Sequence, residues 1–390
     1  MSLFKPKRIY LDYASTTPVL PEVKKVMDKY LSKDFYNPSA IYKEATEVKR
    51  EINESRTSIA RILGLKSKDI YFTGSGTESI NLAILGIFEQ VRSKIEKPHI
   101  IISSIEHPAV KESVKEVERR GGEITVVSVD ENGRVSPQEI LNSIKPNTVL
   151  VSIMLANNEV GTIEPISKIS RLINEYKKKH NTLFPFVHTD ASQAVNYHKV
   201  YMPSLGVDMM TLDGSKIYGP KGVGILAKRP YVELQPIIFG GGQENGLRAG
   251  TENVAQIIGM ARALKIAERD REKESARLAK LQEKFIKDLK KALPEVIINT
   301  PERDKLPNIV SVSMQGMLAE FIAIKLDLAG FLVSTGSACG SNKGASGTET
   351  LIGMGRGELK ESTLRFSFGK FTKKSDITAV LRAFIKIMQG

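Results

Sequence analysis

The chain has 390 residues, of which 41% are hydrophobic and 26% are charged, a composition typical of a folded globular protein and not of a disordered chain. Its longest apolar stretch, Leu82 to Phe88, is far shorter than the roughly 20 residues that a membrane-spanning helix needs. No apolar segment of a signal peptide follows the charged N-terminus. We therefore expect a soluble, intracellular, cytoplasmic protein with no membrane partner.

The chain contains one cysteine, Cys339. A single thiol excludes an intramolecular disulfide and a multi-thiolate zinc or iron–sulfur site within the chain, and we expect no metal. The 57 Lys and Arg residues against 44 Asp and Glu give a net charge of +13, which permits attraction to nucleic acid or to acidic proteins. Because the basic residues are scattered and tryptophan is absent, we interpret the charge as a solvated surface and do not expect direct nucleic-acid binding.

Short β-branched runs alternate with helical spacing from residue 68 to 228, which predicts βαβ units. The predicted fold class is α/β, a mostly parallel seven-stranded sheet with helices on both faces, plus a smaller α+β domain. A long charged helix from about Asn253 to Ala292 opens that second part. We predict a large cofactor-binding domain over residues 16–252 and a small domain made of 1–15 and 253–390. The candidate strands are Ile70–Phe72, Ile100–Ser103, Ile124–Val129, Val149–Met154, Phe186–Thr189, Met209–Leu212 and Val223–Ala227.

A Gly/Ser-rich stretch from Ser334 to Gly357 carries Cys339. Such a composition buries little apolar surface, so we predict a mobile loop over about 334–357. A lone cysteine is more often an inert buried thiol than a reactive one. The polar, glycine-rich neighbours of Cys339 argue against burial, and the sequence therefore favours a reactive thiol at this position.

Polar groups follow five of the predicted strands. The carboxyl ends of the strands in an open parallel sheet lie at one edge, where ligands bind, so we expect the five groups to share one cleft. The groups are Gly74-Ser75-Gly76-Thr77, Glu106-His107-Pro108, Asn157-Asn158-Glu159, Asp190-Ala191-Ser192-Gln193 and Asp213-Gly214-Ser215-Lys216.

Each group also has an ordinary structural interpretation. The glycine turn before Thr77 is either an anion cradle at a helix N-terminus or a capped turn. Asp190 either holds a protonated nitrogen or caps a helix, and His107 either stacks on a planar ligand or belongs to the core. Lys216 is either a buried Schiff-base lysine or a lysine that reaches solvent. Together, a phosphate cradle, a carboxylate for a ring nitrogen and a Schiff-base lysine indicate pyridoxal 5'-phosphate.

These residues resemble those of the cysteine desulfurases, pyridoxal-phosphate enzymes of aminotransferase class V with the fold type I architecture. The resemblance covers nearly the whole chain, and the Gly-Ser-Ala-Cys form of the cysteine segment resembles the group that serves iron–sulfur cluster biogenesis and tRNA thiolation. The matching segments are Tyr10–Pro18, Tyr36–Ser39, Phe72–Ser79, Asn157–Gly161, His188–Gln193, Lys216–Gly222, Gly240–Glu252, Ser334–Cys339 and Leu364–Gly369.

The resemblance implies conversion of L-cysteine to L-alanine, with the sulfur passed as a persulfide on Cys339 to an acceptor protein, either an iron–sulfur scaffold or a tRNA-thiolation enzyme. It implies that Lys216 forms the Schiff base and moves the Cα proton, while His107 stacks on the ring and assists proton transfer. Arg365 is expected to bind the α-carboxylate of the substrate, with Asn158 beside it at the ring edge. The acceptor itself and any use of selenocysteine are left open.

The other cofactor contacts are implied in the same way. Asp190 would hold the pyridinium nitrogen, Gln193 would bond the phenolic oxygen, and the phosphate-binding residues would be Gly76, Thr77 and Ser215. In this family a residue in the position of Thr251 reaches the phosphate of the neighbouring subunit, so the resemblance implies a homodimer. Two alternatives are another class V enzyme, such as a selenocysteine lyase or an aminotransferase, and a catalytically idle protein that binds tRNA or a sulfur carrier.

One segment departs from the pattern of the family, which has Ser-x-His-Lys where this chain has Asp213-Gly214-Ser215-Lys216. An acid then stands where a phosphate donor is expected. Two like charges about 4 Å apart repel by about 1 kcal/mol in water and by about 4 kcal/mol at an intermediate dielectric. We hypothesise that Asp213 turns away from the phosphate or that a nearby base offsets its charge.

Overall fold

The computed structural model describes residues 8–336 and 349–389, and the helices and strands below are those of this part of the chain. The strands, numbered β1 to β12 in chain order, are Ile9–Tyr10, Ile70–Thr73, His99–Ser103, Glu123–Val127, Thr148–Ser152, Phe186–Asp190, Met209–Asp213, Gly224–Lys228, Ile297–Ile298, Ile309–Ser313, Phe331–Leu332 and Thr363–Ser367. The helices, numbered α1 to α11, are Pro21–Ser32, Lys43–Leu63, Gly76–Val91, Pro108–Arg119, Pro137–Asn142, Ile166–Lys179, Met202–Leu205, Val254–Ala292, Ala319–Leu328, Glu349–Gly353 and Lys374–Gln389.

The seven predicted strands form one sheet in the order β2-β8-β7-β6-β5-β3-β4, which confirms the α/β prediction. Strands β3 to β7 pair in parallel, and β8 is antiparallel to both of its neighbours. Side chains of β3 alternate between the two faces: Ile100 and Ile102 pack with α3 and α4, and Ile101 packs in the cluster that contains α2 and α6. The sheet is apolar on both faces because helices cover both.

The long helix α8 belongs to two apolar clusters. Its first half packs with α1 and α2 against the large sheet. Its second half, from Leu278 to Leu289, packs against a three-stranded antiparallel sheet in the order β12-β10-β9. The smaller α+β part is therefore present, while the domain boundaries given above remain a prediction. None of the described helices has the length and apolar character that crossing a membrane requires.

The predicted loop over 334–357 is wrong at its C-terminal end, where α10 forms. Thr350 and Leu351 are buried there, and Leu351 packs with Ile105 and Met154 in a small apolar cluster. Burial of one leucine is enough to favour a short helix that composition alone argues against. The loop cysteine, Cys339, lies outside the described residues.

Candidate active site

The segments that follow β2, β3, β5, β6 and β7 surround one cavity of about 230 Å³ at the carboxyl edge of the parallel strands. Of the ten predicted site residues within the described ranges, Ser215 and Thr251 do not line this cavity. The eight that line it are Gly76, Thr77, His107, Asn158, Asp190, Gln193, Lys216 and Arg365. The convergence expected from the sequence is therefore present.

Lys216 ends a short helical turn that follows directly on β7. Its Nζ donates to the carbonyl oxygens of Ser15, at 2.5 Å, and Ala14, at 3.3 Å. The turn is tightly packed, since a side chain on Gly214 would put its Cβ 2.6 Å from the carbonyl oxygen of Pro220. The backbone is thus held firmly, and the N-terminal segment presents two acceptors to the amine. Sequence reasoning did not predict this role for Ala14 and Ser15.

Asp190 is the last residue of β6, and Gln193 lies on the turn that follows. Asp190 is only partly buried, and its Oδ1 accepts from the Ser192 N–H at 2.9 Å, leaving the other carboxylate oxygen for a ligand in the cavity. Gln193 donates one amide N–H to the Ala14 carbonyl at 2.8 Å and keeps a second N–H. Both side chains therefore have polar capacity left for a bound ring.

His107 caps the N-terminus of α4, where its Nδ1 accepts from the backbone N–H of Ala109 at 3.1 Å. A backbone N–H can only donate, so in this geometry the neutral ring carries its hydrogen on Nε2. Burial lowers the pKa of His107, with a smaller opposing effect of Asp190. The site therefore holds a neutral imidazole that donates from Nε2, and its flat ring lines the cavity.

Glu106, next to His107, is 3% exposed. Its Oε1 accepts from the Ser103 hydroxyl at 2.6 Å and from the Met154 N–H at 3.0 Å, while Oε2 has no partner among the described residues. Burial raises the pKa of Glu106 to about 8. The Glu106 side chain joins the end of β3 to the loop after β5, and it thereby fixes the backbone next to His107. The sequence did not reveal this function.

Asn157 shapes the loop that presents Asn158. Its Oδ1 accepts from the N–H groups of Glu159 and Val160 at 2.8 and 2.9 Å. Its Nδ2 donates to Thr350 Oγ1 at 3.2 Å, and the Thr350 N–H donates to Glu159 at 3.3 Å. Helix α10 is thereby attached to the site. Asn158 is left with its side chain lining the cavity.

Arg365, on β12, is buried beneath the cavity with 2% of its surface exposed. Its Nη2 donates to Asp12 at 2.7 Å and to Ser15 Oγ at 2.6 Å, and its Nη1 donates to the Asn158 carbonyl at 2.9 Å. The Nε–H has no partner in the described part of the chain. Arg365 is thus a charged donor held in place with one donor still available. The partner Asp12 lies in the Tyr10–Pro18 segment, but sequence reasoning assigned it no function.

The N-terminus of α3 carries Gly76 and Thr77, and Ser75 caps it by accepting from the Glu78 N–H. Asp213 faces this terminus, and the hypothesis that it turns away from a bound phosphate, or that a nearby base offsets its charge, stays a prediction. Its Oδ2 accepts from the Gly76 N–H at 2.9 Å, and its Oδ1 accepts from the N–H and hydroxyl of Ser215 at 2.8 and 2.6 Å. Ser215, the expected phosphate donor, gives its hydroxyl hydrogen to Asp213 instead.

Thr251 is exposed and lies on the segment that carries Arg248. Arg248 donates to Glu78 in the first turn of α3, with its Nε 2.8 Å from the carboxylate. The segment therefore runs past the helix terminus at the cavity, but it presents Thr251 outward. A contact with a second subunit stays a prediction.

The chain is similar to known proteins over almost its whole length. The model of the aminotransferase class-V family matches residues 9–380. A protein named cysteine desulfurase IscS from Dictyoglomus turgidum is 41% identical over 384 residues, which are 98% of this chain and 95% of that protein.

Solved structures agree with the match. A structure titled NIFS-like protein superposes with a TM-score of 0.90 at 32% identity and covers 98% of this chain and 99% of its own. A structure titled SspA in complex with cysteine has a TM-score of 0.79 at 32% identity, over 93% of this chain and 99% of its own. The central parallel sheet, the lysine after β7 and the sequence matches agree, and the chain belongs to the aminotransferase class-V family, among its NifS- and IscS-like cysteine desulfurases.

Proposed function

We propose that the protein is a pyridoxal-phosphate-dependent cysteine desulfurase that converts L-cysteine to L-alanine and carries the sulfur as a persulfide on Cys339. The observation that carries this proposal is the meeting of Lys216, Asp190, His107 and Arg365 in one cavity of about 230 Å³. An amine, a carboxylate, a flat neutral ring and a buried guanidinium are the groups that an amino acid and a pyridoxal cofactor need together.

The residues present fit this cofactor. Lys216 would hold it covalently through Nζ, Asp190 would face the ring nitrogen, and His107 would lie against the ring. Thr77 supplies a hydroxyl, and its N–H at the N-terminus of α3 has no partner within residues 8–336 and 349–389. When bound, pyridoxal 5'-phosphate supplies an electron sink for the bonds at Cα of the substrate.

The substrate is oriented by Arg365. A guanidinium binds a carboxylate through charge-assisted hydrogen bonds, and the unpartnered Nε–H faces a site where Asp12 already neutralises part of the charge. Asn158 lies alongside. Lys216 Nζ is placed to take the proton from Cα, and the neutral His107 offers a hydrogen from Nε2 to the substrate.

Cys339 is proposed as the sulfur acceptor within the protein. Its thiolate attacks the substrate sulfur, the carbon–sulfur bond breaks, a sulfur–sulfur bond forms, and alanine takes the protons. The flanks of the cysteine stretch support this, because both adjoin the cavity. Ser334 pairs with the backbone of Arg365, and Thr350 bonds Asn157 and Glu159. Both described flanks of the segment are thus bonded to residues of the site, which supports a role for Cys339 there.

We further propose a homodimer in which Thr251 of one chain completes the other chain's cavity. Thr251 is exposed and does not line its own chain's cavity, which supports a contact with a second chain. The persulfide would pass to an acceptor protein, an iron–sulfur scaffold or a tRNA-thiolation enzyme, and the net charge of +13 favours an acidic one. A cytoplasmic location stays a prediction from the sequence.

The test measures alanine and sulfide released from L-cysteine by the cofactor-loaded protein with a reductant present. We expect equal amounts of both, and Cys339→Ala should abolish turnover while the cofactor stays bound. Ser341→Ala, in the same stretch, is the matched control and should remain active. Alanine release spared by Cys339→Ala would indicate another class V enzyme, and cofactor binding without any turnover would indicate an idle binder.

A further inference from the structure

The N-terminus of α3 is already occupied by a carboxylate of the chain itself. Asp213 accepts three hydrogen bonds there, one from Gly76 and two from Ser215, at 2.6 to 2.9 Å. The fit is close, since a Cβ on Gly76 would lie 3.0 Å from Asp213 Oδ2. Asp213 also lines the cavity, so it stands between the helix terminus and any bound ligand.

The N-terminus of α3 is a favourable position for an anion, so Asp213 and a ligand phosphate would compete for it. A helix of sixteen residues directs its free N–H groups and the positive end of its dipole at the site. Glu78, the acid in the first turn of α3, is paired with Arg248, whereas Asp213 ends β7 and is held by the hydrogen bonds given above. A phosphate entering here meets the negative charge of Asp213 and finds the Gly76 N–H and the Ser215 hydroxyl already used.

We propose that Asp213 is an internal competitor for the cofactor phosphate, so that this protein gains unusually little affinity from the phosphate group of pyridoxal 5'-phosphate. This rests on the proposed function, because it assumes that the cofactor binds at Lys216. Asp213 acts chiefly on phosphate recognition, because its hydrogen bonds go to Gly76 and Ser215 at the phosphate end of the cavity. The aldehyde and ring of the cofactor would be held by Lys216, Asp190 and His107, and the charge of Asp213 has a minor effect on the pKa of His107.

The experiment titrates cofactor-free protein with pyridoxal 5'-phosphate and, separately, with pyridoxal, which lacks the phosphate. Covalent capture at Lys216 is followed by absorbance. Asp213→Asn removes the charge at nearly constant shape, and Asp213→Ser also frees the Gly76 N–H. We expect either variant to bind pyridoxal 5'-phosphate about tenfold more tightly or better, because repulsion between close charges corresponds to factors of this size, and to bind pyridoxal as the parent does.

The control is Glu131→Gln, which removes one negative charge from an exposed loop and should change neither affinity. Unchanged affinity for pyridoxal 5'-phosphate in both Asp213 variants overturns the inference. So does an equal gain for both ligands, which would mean that Asp213 acts through Lys216 or the fold. Failure of the parent protein to capture either ligand would instead refute the proposed function, and the inference with it.

Discussion

Arg365 shows how a single buried charge is held in place at the proposed substrate site. Almost none of its surface reaches solvent, and Asp12 and Ser15 take both hydrogens of its Nη2. Removing one partner of such a pair costs about 3–5 kcal/mol, because the remaining charge is left buried alone. Asp12 therefore stabilises the buried charge of Arg365 before any ligand binds. A substrate carboxylate would then bind to an Arg365 that is already paired with Asp12.

His107 combines two functions in one side chain, a helix cap and a flat ring in the cavity. We predict that substitutions at this position can remove one function and keep the other. His107→Asn should keep the free energy of unfolding close to that of the parent, since asparagine caps helices well, whereas His107→Ala should lose about 1 kcal/mol. Both variants should lose the ring and therefore desulfurase activity. Urea unfolding and alanine release measure the two effects.

Equal stability of the two His107 variants would show that the cap contributes nothing. The tautomer can be checked directly in the parent, because nitrogen NMR distinguishes a ring protonated on Nε2 from one protonated on Nδ1. A hydrogen on Nδ1 would contradict the cap that the Ala109 N–H forms.

At the scale of elements, buried acids join the loops that build the site. Glu106 links the ends of β3 and β5, and Glu164 accepts from the Val135 N–H at 3.0 Å just before α6. Each has one oxygen without a partner in the described part of the chain. The pKa of both acids is raised to about 8, mainly by burial; the charge of Asp190 contributes to the rise at Glu106, and the charge of Glu106 contributes to the rise at Glu164.

This predicts a pH dependence of stability. Glutamate ionises near 4.5 when unfolded, so between about pH 4.5 and 8 the folded protein keeps a proton on Glu106 that the unfolded chain releases. Stability should therefore fall as pH rises across this window, by about 1.4 kcal/mol per pH unit for this group. Glu106→Gln should remove that part of the pH dependence. The free energy of unfolding of the variant should therefore rise relative to that of the parent as pH increases from about 5 to about 8.

Urea unfolding of the cofactor-loaded protein at several pH values measures the slope. The exposed Glu131→Gln serves as the control and should leave it unchanged. Facing charges from neighbouring elements, Asp190 and Lys111, affect the pKa of Glu106 in opposite directions and are the same in all samples. A Glu106→Gln variant with the parent's slope would show that Glu106 is ionised in the folded protein.

For the whole molecule, an exposed apolar side chain is a candidate contact for the second chain of the proposed homodimer. Phe239 is 82% exposed immediately before the Gly240–Glu252 segment that carries Thr251. We predict that sedimentation gives the mass of two chains, and that Phe239→Asp yields single chains with weakened cofactor binding. Burying the Asp carboxylate in an apolar interface would cost free energy of desolvation, and no partner charge would compensate for that cost.

Leu328→Asp is the matched control, since Leu328 is 79% exposed on α9, away from that segment in the chain, and its replacement should leave the mass unchanged. A parent protein that sediments as one chain would contradict the homodimer. A two-chain mass retained by Phe239→Asp would place the interface elsewhere.

The sequence by itself determined the seven strands of the large sheet, the long helix α8 and the eight residues that meet at the cavity. The strands, the helix and seven of the eight residues follow from local patterns: β-branched runs, helical spacing, and polar groups placed after strands that share an edge. The eighth, Arg365, was implied by the resemblance to the cysteine desulfurases. Composition failed at α10, where the burial of Leu351 against residues distant in the chain decided the structure.

Only the tertiary structure decided which groups face one another. Arg365 and Asp12 are 353 positions apart, and Asp213 and Gly76 are 137 apart, so no local pattern relates them. The function of Glu106 likewise depends on a distant contact, because its carboxylate accepts from the Met154 N–H in the loop after β5. Residue type and position after a strand can be read from the chain, but the direction of a side chain depends on donors and charges that folding brings close, and these determine the chemistry of the site.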